Sequence, residues 1–255
     1  MTAPLFLVEQ IPDDASDSVR VLISGAQGRH AVSVKRLTVG EPVLASDGFG
    51  RVAHGVVVEV IGRDQLVMSV DSVVVHEMSS PRITVVQALA KGDRADLAIE
   101  LMTEVGVDVI VPWSASRSIA QWKADRVERG VDKWQTTARE ATKQSRRAFI
   151  PQITGIESTA AVATRIRATL VSNGVAYVLH ESADSPLNAQ LLATREQGAS
   201  DVVLIVGPEG GISDEELGAF VEAGARPARL GPDVLRTSTA GGAAIAVVSA
   251  LTGRW

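Results

Sequence analysis

LIVGPEGGIS, residues 204–213, decides how this chain is read. An apolar run ends at Gly207-Pro208, a single carboxylate follows at Glu209, then Gly210-Gly211, then Ser213 with three acids behind it. The pattern predicts a buried strand, a tight turn and the N-cap of a helix. Ser213 and Glu216 have the spacing of a capping box, so a plain strand-to-helix turn is one reading of the stretch. A second reading is that the glycines bring main-chain N–H and C=O groups against a ligand.

Two further loops of the same kind each follow a predicted strand: LHESADSP (179–186) after VAYVLHE, and LGPDVLRTSTAGGAA (230–244) after ARPARLG. Further predicted strands are RITVVQAL (82–89), VDVIVP (107–112) and DVVLIVG (201–207). Helices are expected at 93–106, with Leu97, Leu101 and Val105 on the buried face, and at 124–144, 187–195 and 213–222. Strands alternating with helices imply a mostly parallel sheet covered on both faces. Open sheets of that kind bind ligands beyond the carboxyl ends of their strands.

The first 76 residues read differently. PLFLV (4–8), RVLIS (20–24), PVLAS (42–46), RVAHGVVVEVI (51–61) and QLVMSVDSVVV (65–75) are short and β-branched. Asp47-Gly48 and Gly62-Arg63-Asp64 separate them as hairpin turns, and RHAVSVKRL (29–37) alone reads as helix. The expectation is a small β-barrel domain over 1–76, joined through MSSP (78–81) to an α/β domain over 77–255.

Composition narrows the chemistry. Cysteine is absent from the 255 residues, which excludes disulfides and thiolate metal sites. The N-terminus has no basic segment ahead of an apolar core, and AGGAAIAVVSAL (240–251) is too short to span a bilayer, so a cytoplasmic protein is expected. P-loop, dinucleotide-fold and nucleophile-elbow signatures are missing, and the four histidines lack metal-ligand spacing. The net charge is −5, yet residues 112–151 carry nine bases against four acids. Within that window RxxxKQSRR (139–147) is dense enough to suit phosphate contact, although a solvated helix face is the plainer reading.

GPEGGIS followed by LGPDVLRTSTAGGAA resembles the paired motifs of the SPOUT methyltransferases, specifically the bacterial 16S rRNA (uracil-N3) methyltransferase family. HAVSVKRLTVGEPV (30–43), KGDRADLAIELMTEVGVDVIVPWSASRS (91–118) and ATKQSRR (141–147) extend the likeness over nearly the whole chain. The chain departs from the family at Lys143 and Ser238, where glutamate is frequent, and in a shortened aromatic and basic start.

The resemblance implies an α/β trefoil-knot methyltransferase domain behind a PUA-like β-barrel, a homodimer, S-adenosylmethionine as methyl donor, and 16S rRNA or the small ribosomal subunit as partner. It implies that Leu179, His180, Glu181, Val206, Gly207, Pro208, Glu209, Gly210, Gly211, Leu230, Gly231, Leu235, Arg236, Thr237, Thr239 and Ala240 hold the cofactor. Arg236 and Glu209 are the catalytic candidates. Arg236 would stabilise uracil oxygens or the target phosphate. Glu209 would accept a proton, fix the nucleotide, or cap nearby N–H groups. Lys35, Arg36, Arg117, Arg139, Lys143, Arg146 and Arg147 are the RNA candidates, and no metal is implied. A ribose 2′-oxygen acceptor and a non-catalytic ribosome-assembly factor are the alternatives.

Overall fold

A computed structural model describes residues 3–13, 19–196 and 198–255. The chain divides into two compact units, Met1–Met78 with Thr142–Ile150, and Ser79–Ala141 with Pro151–Trp255.

The first unit holds a five-stranded sheet in the order β1-β3-β4-β5-β2. Its strands are β1 (Leu5–Leu7), β2 (Arg20–Ile23), β3 (Pro42–Ser46), β4 (Arg51–Ile61) and β5 (Gln65–Val75). β1 pairs parallel to β3 and the other pairs are antiparallel. β4 is irregular at His54/Gly55, where a Cβ on Gly55 would stand 1.8 Å from the Ser69 carbonyl oxygen, so only glycine fits. The helix expected at 29–37 starts earlier, as α1 (Gly25–Arg29), and ends in a π-helical turn, His30–Val34. Gly28 sets that shift. A Cβ there would meet the Asp64 carbonyl oxygen at 2.0 Å, so the helix lies directly on the β4–β5 turn. The sequence gives no sign that 142–150 returns to this unit. Ala148 and Ile150 pack with Leu5, Leu7 and Val52, and Phe149 bridges Phe49.

The second unit is a six-stranded, all-parallel sheet in the order β11-β9-β10-β6-β7-β8. Its strands are β6 (Arg82–Ala88), β7 (Val109–Trp113), β8 (Gln152–Ile153), β9 (Val175–Leu179), β10 (Asp201–Val206) and β11 (Arg226–Ala228). Burial on both sides explains why β6 and β10 are near-continuous runs of Val, Ile and Leu. One face is covered by α2 (Asp93–Glu104), α3 (Val127–Ser145), α5 (Leu187–Glu196) and α7 (Thr237–Thr252) through Ile99, Met102, Trp134, Leu191, Ile245 and Val248. The other is covered by α4 (Thr159–Val171) and α6 (Asp214–Glu222) through Val162, Ile166 and Phe220. β6 and β10 are neighbours, but the helices that follow them lie on opposite faces. Their carboxyl ends therefore flank a crevice.

The buried face of α2 differs from the expectation in part. Ala98, Ile99, Met102 and Thr103 are buried, Leu101 and Val105 pack partly, and Leu97 is 41% exposed. The reason is α7, whose Gly241 and Gly242 sit against Met102 and Leu101, so the small residues of one helix choose the face of the other.

At the opposite end of α7, Arg254 is buried with Asp108. Its Nη1 lies 2.7 Å from Asp108 Oδ2, and its Nη2 donates to the Gly106 carbonyl at 2.9 Å. Asp108 also accepts from the Ile83 amide at 2.8 Å. Removing one member of a buried pair leaves the other charge uncompensated. Arg254→Ala is therefore expected to lower stability by about 3–5 kcal/mol in urea denaturation.

Candidate active site

GPEGGIS forms the turn its glycines predict. Gly211 donates to the Pro208 carbonyl at 2.9 Å and takes a left-handed φ of +75°. Ser213 then caps α6 in the expected capping box, its Oγ accepting from the Glu216 amide while Glu216 Oε2 accepts from the Ser213 amide. Glu216 is 5% exposed and does more. Its Oε1 accepts from the Ser116 amide at 2.7 Å and from the Thr159 hydroxyl at 3.2 Å. That fixes the loop after β7 against the turn. The fit is tight, since a Cβ on Gly210 would meet the Arg117 carbonyl oxygen at 2.9 Å. Glu215, fully exposed in the same first turn, is held below the usual carboxylate range by a backbone N–H and then by the Ser213 hydroxyl.

The other two loops are laced together. His180 donates through its amide to the Ala228 carbonyl, Arg229 to the Ser185 carbonyl, and Leu187 to the Arg229 carbonyl. The start of α7 is held by Thr237, whose hydroxyl donates to the Gly207 carbonyl at 2.7 Å and accepts from Gln87 Nε2 at 3.0 Å. Gln87 is buried in β6, and nothing in the sequence pattern distinguishes it from the apolar residues around it.

Together these loops enclose a cavity of about 640 Å³. Leu179, His180, Glu181, Val206, Gly207, Pro208, Glu209, Gly210, Gly211, Leu235, Arg236, Thr237 and Ala240 line it, all expected from the sequence. Leu230, Gly231 and Thr239 do not line it. Leu230 packs onto the core, and the Thr239 hydroxyl turns back to the Arg236 carbonyl. Arg94, Ile212, Asp214 and Val234 line it unexpectedly, and Arg117, an RNA candidate, is on the wall as well.

Three arginines stand around this cavity. Arg117 donates to the Ile212 carbonyl at 3.4 Å. The Arg236 guanidinium has no hydrogen bond or ion pair with a described residue. Arg94 lies 3.7 Å from Glu209, whose Oε1 accepts from the Lys91 amide at 3.3 Å. Glu209 thus meets the capping reading directly.

The remaining RNA candidates are scattered over several elements. Lys35 and Arg36 are exposed after the π-helical turn, with Arg36 in a left-handed conformation at φ 58°. Arg139 and Arg146 are exposed, and Arg147 is half-buried. Lys143 differs from these: it is engaged with protein groups and 9% exposed, which sets it apart from the exposed cations. Among the described residues no cluster could hold a metal ion, and no helix is long and apolar enough to cross a membrane.

A sheet whose crevice is walled by glycine-rich loops defines an α/β ligand-binding domain, and comparison with known proteins makes this specific. A family model described as an RNA methyltransferase domain matches residues 77–249, and the chain belongs to that family. It is 42% identical to the ribosomal RNA small subunit methyltransferase E of Mycobacterium bovis, over all of this chain and 94% of that protein. The protein of the same name from Bacillus subtilis is 24% identical over 96% of this chain and 95% of its own. A crystal structure of ribosomal RNA small subunit methyltransferase E from Neisseria gonorrhoeae, bound to S-adenosyl methionine, superposes with a TM-score of 0.79. It covers 98% of both chains at 23% identity.

Glu216 gives this site a direct test. Glu216→Ala strands two amides and a hydroxyl inside the loop cluster, each at about 1–3 kcal/mol. Thermal and urea denaturation should show a loss of roughly 3 kcal/mol, whereas Glu215→Ala, fully exposed, should show little change.

Proposed function

We propose that the protein transfers a methyl group from S-adenosylmethionine to N3 of one uridine in the 16S ribosomal RNA of the small subunit. One observation carries the reading. The loops after β9, β10 and β11 meet around a single cavity in a chain that matches a ribosomal RNA small subunit methyltransferase E from end to end. The cavity fits the donor. Its volume lies within the roughly 300–1,000 Å³ of small-ligand sites, and its walls combine main chain with Leu179, Val206, Leu235 and Ala240. It has no lysine on its wall for a triphosphate.

When bound, S-adenosylmethionine supplies an electrophilic methyl group whose sulfur leaves neutral, so the residues need not stabilise a departing anion. Their first task is orientation, worth about 7–11 kcal/mol in well-aligned systems. Glycines 207, 210 and 211 and the amides of the 179–182 and 235–237 segments would hold the donor. Arg236, whose guanidinium has no partner among the described residues, would stabilise charge developing on the uracil oxygens or hold the target phosphate. Glu209 stands ready to take the N3 proton or to fix the nucleotide, and its bond to the Lys91 amide favours the second. Lys35, Arg36, Arg117, Arg139, Arg146 and Arg147 would draw in the RNA. A base in structured RNA must leave its stack to reach such a cavity.

Three architectural features belong to this reading. The five-stranded sheet with α1 supports a PUA-like barrel as the RNA-binding domain over roughly residues 1–76. A trefoil knot over 77–255 is supported by the path of the chain after β11. From the sheet edge it returns to its middle, where Thr237 bonds both Gly207 and Gln87. A homodimer is supported by exposed apolar groups of the second unit: Val234, on the cavity wall, is 76% exposed, Ile119 65% and Leu97 41%.

Nucleoside mass spectrometry after incubation with 16S rRNA and labelled S-adenosylmethionine tests the reading. The expected product is 3-methyluridine at one position. A 2′-O-methylated product would transfer the same site to a ribose acceptor, and failure to bind the donor in calorimetry would point to an assembly factor. Arg236→Ala should lower kcat by about 10²–10³-fold while donor affinity changes little.

A further inference from the structure

We propose that Arg94, held in position by Glu209, is a binding site for a phosphodiester of the RNA substrate at the mouth of the cavity. The proposal rests on the methyltransferase reading for the identity of that substrate. Arg94 lies in the first turn of α2 and is half-exposed, with a side-chain exposure of 51%. Its neighbour in the turn, Asp96, is already engaged by Lys133 at 2.7 Å. The carboxylate that faces Arg94 is Glu209, at 3.7 Å. That separation is too long for a hydrogen bond, so the attraction holds the guanidinium in place without satisfying its N–H donors. None of those donors has an acceptor among the described residues.

Glu209 is itself anchored. Its side chain is 18% exposed, and its Oε1 accepts from the Lys91 amide just ahead of α2. One carboxylate therefore ties the turn after β10 to the start of α2 and carries a cation outward. Glu181 and Asp214 also line the cavity but form no ion pair with a described residue, so Arg94 and Glu209 are the coupled pair there. A planar guanidinium with all its donors open matches a phosphate oxygen pair. The methionine carboxylate of the donor has related chemistry. The half-exposed position, half in the cavity wall and half in solvent, favours the ligand that extends beyond the cavity, which is the RNA. Glu209 is in this account a positioning residue, not the acceptor of the N3 proton.

Binding of fluorescent 16S rRNA fragments by anisotropy tests this without requiring turnover, alongside steady-state methylation and calorimetry with S-adenosylmethionine. Arg94→Ala should weaken RNA binding about tenfold, reduce its salt dependence by the equivalent of about one phosphate, and raise KM for RNA with kcat nearly unchanged. Arg94→Lys should restore part of the affinity, since it keeps the charge and loses the fork. Glu209→Gln keeps an acceptor for the Lys91 amide and loses the charge. It should weaken RNA binding severalfold and add nothing in the Arg94→Ala background. Unchanged melting temperatures would exclude a folding defect. The proposal is overturned if Arg94→Ala leaves RNA affinity intact, or if it weakens donor binding instead, which assigns Arg94 to the methionine carboxylate. It is also overturned if Glu209→Gln abolishes kcat and one limb of the pH–rate profile independently of Arg94, which makes Glu209 the base. A wild-type protein that binds RNA but transfers no methyl group would sink the methyltransferase reading and leave the Arg94 contact measurable.

Discussion

The hydroxyl of Thr237 is the group on which the site depends. It donates to the Gly207 carbonyl and accepts from the buried Gln87 side chain, so one oxygen joins the first turn of α7 to the ends of β10 and β6. Those two strands are the pair whose following helices lie on opposite faces. Thr237 fixes the start of α7 at the crevice between them, and Leu235 and Arg236 just ahead of it line the same cavity. The remainder of α7 is committed to the same placement, from Gly241 against Met102 down to Arg254 in its buried pair with Asp108.

Main chain and the aliphatic side chains of Leu179, Val206, Leu235 and Ala240 make up part of the cavity wall, which suits a nucleoside-like ligand. The charges belong to Arg94, Arg117 and Arg236, with Glu181, Glu209 and Asp214, each brought by a different turn or helix start. Methyl transfer needs little electrostatic help with the leaving sulfur and much control of where the acceptor atom sits. A cradle with arginines around it meets that requirement better than a buried acid–base pair would.

Much of this was legible in the sequence because glycine and capping residues act locally. Gly211 needs its positive φ whatever surrounds it, and Ser213 with Glu216 caps a helix by spacing alone. The parallel sheet was legible for a similar reason, since a strand buried on both faces must be apolar throughout. What escaped was decided at long range. Lys143 is buried in a segment, 142–150, that belongs to the first unit, and α2 packs on glycines some 140 residues further along. Gln87 gave no signal because a lone amide in an apolar strand has no period, and a single arginine in a helix's first turn has no spacing that singles it out. α4 was missed altogether: its start is marked only by Ser158, which accepts from the Ala161 amide.

The central claim is that three loops of one chain close around an adenosine-bearing methyl donor. Amide hydrogen exchange of the intact protein, with and without S-adenosylmethionine, measures this segment by segment. Slowed exchange should be confined to residues near 179–182, 207–212 and 234–240, with the strands of the first unit unchanged. Slowing in one of these segments without the others, or slowing centred elsewhere, would contradict the account.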